Sequence, residues 1–358
     1  MMSSLSLSPR LQPRLPKRMP SSFSSAAPED LSNSPIAMLQ EVPFASSHIR
    51  SYLTYKENAY LAQANHYQRR IAFHSTTKLK LYPATSNEHL EDIVNIFPNL
   101  EFLDLSHCRR ITNFSPLIKL VKLKSLNLAD TRIRDLKSIT KLVTLELLDL
   151  CDTQIIDYDP ITLLHNLKSL KINNCYHKDF MFIARLVKLE FLYLRNIDIT
   201  DLRPIKFLQR LQFLDLSCTP VKDLGPIAQL VNLESLNLSN TKVSDLTPTA
   251  KLVKLTLLDL SETMVIDLGP IKFLINIISL NLNGTKITAL SPIDKYFVNL
   301  KYLFLNNTQV KTLKPIEQLK GIITLHVRNI PINDWDFVSI CRGLANPQNC
   351  VSPNGIKW

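Results

Sequence analysis

Glycine is scarce: six in 358 residues. That is too few for a collagen-like chain or for an enzyme built on a glycine-rich phosphate loop. No run of about 18 apolar residues free of charge occurs, so no membrane-spanning helix is expected. None of the six cysteines (Cys108, Cys151, Cys175, Cys218, Cys341, Cys350) forms a C-x-x-C pair, so zinc-ligand spacing is absent. HExxH, GxSxG and GxxxxGK[ST] are also missing, and His107, His165, His177 and His326 are scattered. Cys108 beside His107 has no orienting acid in view. We therefore expect no catalytic residues, no metal site, no cofactor and no enzyme.

Positive charge is present but not concentrated. Of the net +11, residues 1–76 carry +4 and the other 282 carry +7. A nucleic-acid binder more often shows a basic stripe with interleaved aromatics, so nucleic acid is not the expected partner. Residues 1–34 read as a disordered tail. Its first 28 residues hold eight Ser, several Pro and four basic residues, with no acid and no apolar core of a signal peptide. Such tails resemble organelle transit peptides and the secretion signals of bacterial effectors.

From residue 77 the chain repeats. LKSLNLADTRIRDLKSITKLVT (123–144) aligns with LQFLDLSCTPVKDLGPIAQLVN (211–232) and LESLNLSNTKVSDLTPTAKLVK (233–254). Eleven copies begin at Leu100, Leu123, Leu145, Leu167, Leu189, Leu211, Leu233, Leu255, Ile277, Leu300 and Ile322, with a period of 22 and two steps of 23. The consensus is LxxLxLxxTxVxDLxPIxxLxx. Leu at positions 1, 4 and 6 points inward from a short parallel strand. Thr at 9 is read as an internal hydroxyl ladder and Asp at 13 as a turn cap. Pro at 16 is read as the first residue of a short helix on the convex side. No copy buries its own apolar face; stacking does. The pattern resembles leucine-rich repeats of the short, internalin-like type. The implied fold is an α/β solenoid over 76–345: a curved parallel sheet with short convex helices. The first copy, LDLSHCRRITNFSPL, resembles the cysteine-type repeat of F-box leucine-rich repeat proteins.

KLKLY (78–82) is expected to cap one edge. Trp335 and Phe337, in the last copy, are expected to close the other, leaving 346–358 as a tail. The first four cysteines fall in different repeats. Cys108 to Cys175 would span roughly 14 Å at the spacing of strands, beyond a disulfide. Reduced thiols in a cytoplasmic compartment are expected, with Cys341 and Cys350 left as the candidate pair.

A solenoid of this kind binds with its concave face, onto which positions 3, 5 and 7 point. Most are small and polar. Two clusters differ: Lys171, Phe191, Tyr193, Arg195 and Phe213; and Tyr302, Phe304, His326 and Arg328. Exposed Tyr, Phe and Arg anchor interfaces, so these are the candidate target-binding residues. A protein target is the expected partner. The first cluster adjoins the least regular copy, in which Cys175, His177, Phe180 and Phe182 replace Thr, Val, Leu and Pro.

Residues 35–75 have helical periods: Ile49 and Leu53, then Tyr60 and Ala64, then Tyr67 and Ile71. Thr54 with Glu57 makes a capping box for a second helix. VPFASSHIRSYLTYKENAYLAQANHYQRRI resembles an F-box. Pro43 matches its leading Pro, and Ile49 and Leu53 the end of its first helix. Leu61 and Ala64 match the apolar face of its second helix, and Tyr67 the usual Trp. The gap from Pro43 to Leu53 is one residue short of the common form. The resemblance implies docking through Pro43, Ile49, Leu53, Leu61, Ala64 and Tyr67 to a Skp adaptor and cullin-type ubiquitin ligase. The chain would then act as a monomeric subunit of an SCF-type complex, with the repeats holding the target. It would be a receptor in a eukaryotic cytoplasm, or a bacterial effector working in a host cytosol. The alternative is a repeat-only scaffold in which 35–75 is a helical cap.

Overall fold

The computed structural model describes residues 77–354 apart from 178, 333 and 345–349. The tail and the F-box-like segment lie outside the described residues. So does the side chain of Trp335.

Each repeat contributes one three-residue strand, and the strands form a single parallel sheet in chain order, β1 to β13. β1 is Lys78–Lys80, β2 Phe102–Asp104, β3 Ser125–Asn127, β4 Leu147–Asp149, β5 Ser169–Lys171 and β6 Phe191–Tyr193. β7 is Phe213–Asp215, β8 Ser235–Asn237, β9 Leu257–Asp259, β10 Ser279–Asn281, β11 Tyr302–Phe304 and β12 Thr324–His326. β13 is Cys350–Val351. Equivalent positions pair throughout, for example Leu170 with Leu192 and Leu192 with Leu214. Every sequence position therefore becomes a straight column of side chains.

The Leu columns at positions 1, 4 and 6 are the core; Leu170, Leu192, Leu194 and Leu216 are fully buried. Burying each such side chain stabilises by about 1.5–3 kcal/mol. Thr at position 9 is buried too, but among the described residues no Thr hydroxyl bonds the Thr of the next repeat; Thr153 Oγ1 lies 3.7 Å from Cys175 Sγ. The Thr hydroxyl donates to the position-6 carbonyl of its own repeat, as in Thr241 Oγ1 to Leu238 O at 2.7 Å and Thr263 Oγ1 to Leu260 O at 2.6 Å. The reason is local: the chain turns sharply just after the strand. The residue at position 8 is left-handed in every full repeat, with φ between 53° and 67° from His107 to Asn329. Asn and Asp tolerate that region best among non-glycine residues. Gly284 is the one glycine in this column.

On the convex side the expected helices are 3-10 turns, such as Arg203–Phe207 and Gly225–Gln229. Twenty-two residues leave too little chain for a longer helix between strands. Asp at 13 accepts the N–H two residues on: Asp201 from Arg203 at 2.9 Å, Asp223 from Gly225 at 2.8 Å. Pro is second in the turn rather than first, where its missing N–H is still one of the unpaired ones.

The two ends are built differently from the repeats. At the amino-terminal end α1 (Asn87–Ile96) follows β1 and buries Leu90, Ile93 and Val94. The Ser86 backbone N–H donates to His89 Nδ1 at 3.1 Å, closing its first turn. A short α2 (Ile293–Tyr296) replaces one 3-10 turn. At the carboxy-terminal end α3 (Asp334–Gly343) lies beyond the last full repeat, with Phe337 wholly buried. The expected tail from 346 is corrected here. Cys350 and Val351 pair with Leu325 and His326, so the sheet gains a thirteenth strand. The thiols of Cys341 and Cys350 are free, buried and hydrogen-bonded to each other.

Candidate binding face

The concave face is drawn from positions 3, 5 and 7. In the sequence, position 5 reads as small, polar filling of this face. Instead its acids and amides are structural. The side chains of Asp104, Asn127, Asp149, Asp215, Asn237, Asp259 and Asn281 each accept the backbone N–H two residues on, at 2.9–3.1 Å. This arrests the strand after three residues and orients the left-handed turn. Asn127 and Asp149 are buried as a result. Burial raises the Asp259 carboxyl above its ordinary value, against hydrogen bonds from Ser261 and Asn281 that favour its ionised form.

Four strands break this row, and they come as two adjacent pairs. Position 5 is Lys171 and Tyr193 on β5 and β6, and Phe304 and His326 on β11 and β12. These are the centres of the two expected clusters, which the fold does assemble. In the first, Lys171 Nζ lies 3.5 Å from Asp149 and 5.1 Å from the centre of the Tyr193 ring. Tyr193 packs on Phe213 with ring centres 4.6 Å apart. In the second, Phe304 and His326 meet edge to face at 5.1 Å.

Two members need correction. Phe191 and Phe213 were expected as exposed anchors, but only 4% and 7% of each is accessible. They are paired across adjacent strands, and Phe213 packs against the Tyr193 ring. Neither Phe ring is presented to a partner; Phe213 instead supports Tyr193. Tyr193, Lys171, Arg195, Phe304 and His326 are half-buried, whereas Tyr302 and Arg328 are exposed. The irregular copy beside the first cluster packs as an aromatic core. Tyr158 stacks on Phe182 at 5.2 Å, His177 fills the gap between Tyr158 and Phe180, and Cys175 is buried.

Sequence reasoning missed one ionic cluster at the amino-terminal rim. Asp130 accepts from His107 Nδ1 at 2.8 Å and from Arg109 Nε at 2.8 Å. Desolvation pushes its pKa up, but Arg109 and His107 together hold the carboxyl below its ordinary value. Only the shared register of positions 8 and 10 in successive repeats would have signalled it. Among the described residues no three His, Cys, Asp or Glu side chains group as metal ligands, and no helix is long and apolar enough to cross a membrane.

A family model for leucine-rich repeats in two copies matches residues 98–141, 187–229 and 209–249. With the stacked parallel strands and the Leu columns, this decides the fold. The chain is a leucine-rich repeat protein. Among solved structures it is similar to an internalin, InlF, of Listeria monocytogenes: 27% identical, TM-score 0.65, covering 77% of this chain and 88% of that one. It is also similar in fold to a leucine-rich repeat protein of Leptospira interrogans, at 19% identity and TM-score 0.61, covering 82% and 91%. A third likeness is TLR13, solved in complex with a single-stranded RNA, at 22% identity and TM-score 0.56, covering 72% of this chain and 44% of that one. No curated protein sequence matches the chain. A leucine-rich repeat array of this kind is a binding scaffold.

Proposed function

We propose that this leucine-rich repeat protein is a non-enzymatic adaptor that holds a protein target on its concave face. The observation that carries the reading is the position-5 row. Seven of its members are fastened to backbone, and the four that are not gather into two aromatic and cationic clusters. Such side chains are the anchors of protein interfaces. The RNA held by the TLR13 neighbour does not suit this face. Asp104, Asp149, Asp215 and Asp259 lie along it, and their charge opposes a phosphate backbone.

The second half of the proposal rests on residues 43–71 of the sequence. Their F-box pattern supports docking to a Skp adaptor and, through it, recruitment of the target to an SCF-type ubiquitin ligase in a eukaryotic cytoplasm. Catalysis would be by proximity, with no chemistry in this chain. A repeat-only scaffold is the competing reading, favoured by the likeness to InlF, which extends over the repeats.

Affinity capture from eukaryotic cytosol tests the target-binding half, comparing the full chain with Tyr193→Ala and Phe304→Ala. Proteins held by the wild type and released by either variant are targets on this face. Identical captures from all three folded chains would contradict it.

A further inference from the structure

The two clusters are the same device built twice. Where position 5 is Lys, Tyr, Phe or His, the strand loses the side chain that caps the N–H two residues on. For Tyr193, Phe304 and His326 the loss is made good by an Asn at position 7 of the preceding strand. Asn173 Oδ1 accepts the Arg195 N–H at 2.8 Å, and Asn306 Oδ1 accepts the Arg328 N–H at 2.7 Å. Asn283 does the same for Asn306 at 2.7 Å. In each pair the residue so capped is Arg, and these are the only two arginines in the position-7 column. Among the described residues neither guanidinium has a hydrogen-bonding or ionic partner, whereas each concave aspartate is engaged with backbone. Thus the backbone bonds of Arg195 and Arg328 are preserved while their two cations are left free, each two residues along the chain from an aromatic side chain, Tyr193 or His326.

From these features we propose that Arg195 and Arg328 form a two-point anchor for one extended, doubly acidic segment of the target. This rests on the concave-face reading above. Six strand steps separate the arginines, roughly 29 Å along the sheet at about 4.8 Å per step. An extended peptide covers that span in about nine residues. Each guanidinium takes a carboxylate in bidentate fashion. Tyr193 and the Phe304–His326 pair receive an apolar or aromatic neighbour of each acid. Between the anchors the face presents Asp215, Asn237, Asp259 and Asn281, so the middle of the segment is neutral or basic. The assigned ligand is therefore a peptide with an acid and an apolar residue at each end and an uncharged or basic centre.

A displayed library of random 16-residue peptides, selected on the full chain, tests this. Selected peptides are then synthesised with a fluorophore and titrated against the wild type, the four single variants Arg195→Ala, Arg328→Ala, Tyr193→Ala and Phe304→Ala, and the double arginine variant. Circular dichroism verifies folding; the capping Asn bonds involve only the Arg backbone, so both variants keep them. The expected peptides carry two acids about nine residues apart. Each single variant weakens them about 10- to 100-fold, the range for charged hydrogen bonds, and the double variant by about the product. Removing four central residues abolishes the response to one of the two arginines. Peptides that lose affinity to Tyr193→Ala or Phe304→Ala but respond to neither or only one arginine overturn the two-point anchor and leave the concave-face reading standing. Peptides indifferent to all four single variants, or no selected peptide at all, overturn both.

Discussion

The buried hydroxyl at position 9 offers a sharp test of how the repeat is held. In Thr241 it donates to the Leu238 carbonyl at 2.7 Å, and the residue is only 6% exposed. Val has the shape of Thr without the hydroxyl, so Thr241→Val leaves a buried carbonyl without its donor. That costs about 1–3 kcal/mol, partly offset by the added apolar methyl. Thr241→Ser keeps the hydroxyl and loses one methyl group, about 0.8 kcal/mol. Equilibrium urea unfolding of the full chain, followed by circular dichroism, measures both. With a slope near 3 kcal/mol per molar, Val lowers the midpoint by about 0.3–1 M and Ser by about 0.3 M or less. The slopes should be unchanged, since neither variant alters the surface exposed on unfolding. A Val variant as stable as the wild type, with Ser the weaker of the two, would refute the claim that this bond secures the turn. In that case the Thr column is retained for its methyl packing.

Further outcomes follow from the same geometry. Leu214→Ala, in the centre of the array, should cost about 2–5 kcal/mol by cavity formation, read from the same unfolding curves. The Asp259 carboxyl has a raised pKa in the folded state, so its ionisation opposes folding as pH rises through that value. Stability should therefore fall as pH rises from about 4 through that value, and Asp259→Asn should flatten this slope, although its amide nitrogen then faces Asn281 Nδ2; pH-dependent unfolding measures it. Burial pushes the Cys108 thiol up to about 11 from 9.0. The folded chain then holds that proton after the unfolded chain has lost it, so stability should fall as pH rises from 9 towards 11, and Cys108→Ala should flatten that slope.

Much of this fold is legible in the sequence because each repeat position has one physical task. The Leu columns, the Asp at 13 and the period itself lie where the pattern places them. Other features depend on neighbours that a linear pattern does not display. Phe191 and Phe213 look like free anchors in isolation, yet stacking of neighbouring strands buries both. Asp149 and Asp215 look solvated until the left-handed turn after the strand is known, which brings the N–H of Cys151 and of Ser217 onto them. The signal was present: position 5 is Asp or Asn in seven repeats and position 8 favours Asn, Asp or Gly. The spacing of Leu90, Ile93, Val94 and Phe97 likewise marks α1, although this region has no repeat to align it with. β13 carries no signature of its own; Cys350 is placed by the open edge of β12.

The central claim is that one chain joins a target-binding face to a ligase-docking segment. A pull-down with purified Skp adaptor tests it most directly, using the full chain, Leu53→Asp, and Arg195→Ala as a concave-face control, each verified as folded. The account predicts that wild type and Arg195→Ala retain the adaptor and that Leu53→Asp releases it. Absence of retention by the folded wild type, or equal retention by Leu53→Asp, would contradict the ligase link and leave a scaffold defined by its concave face alone.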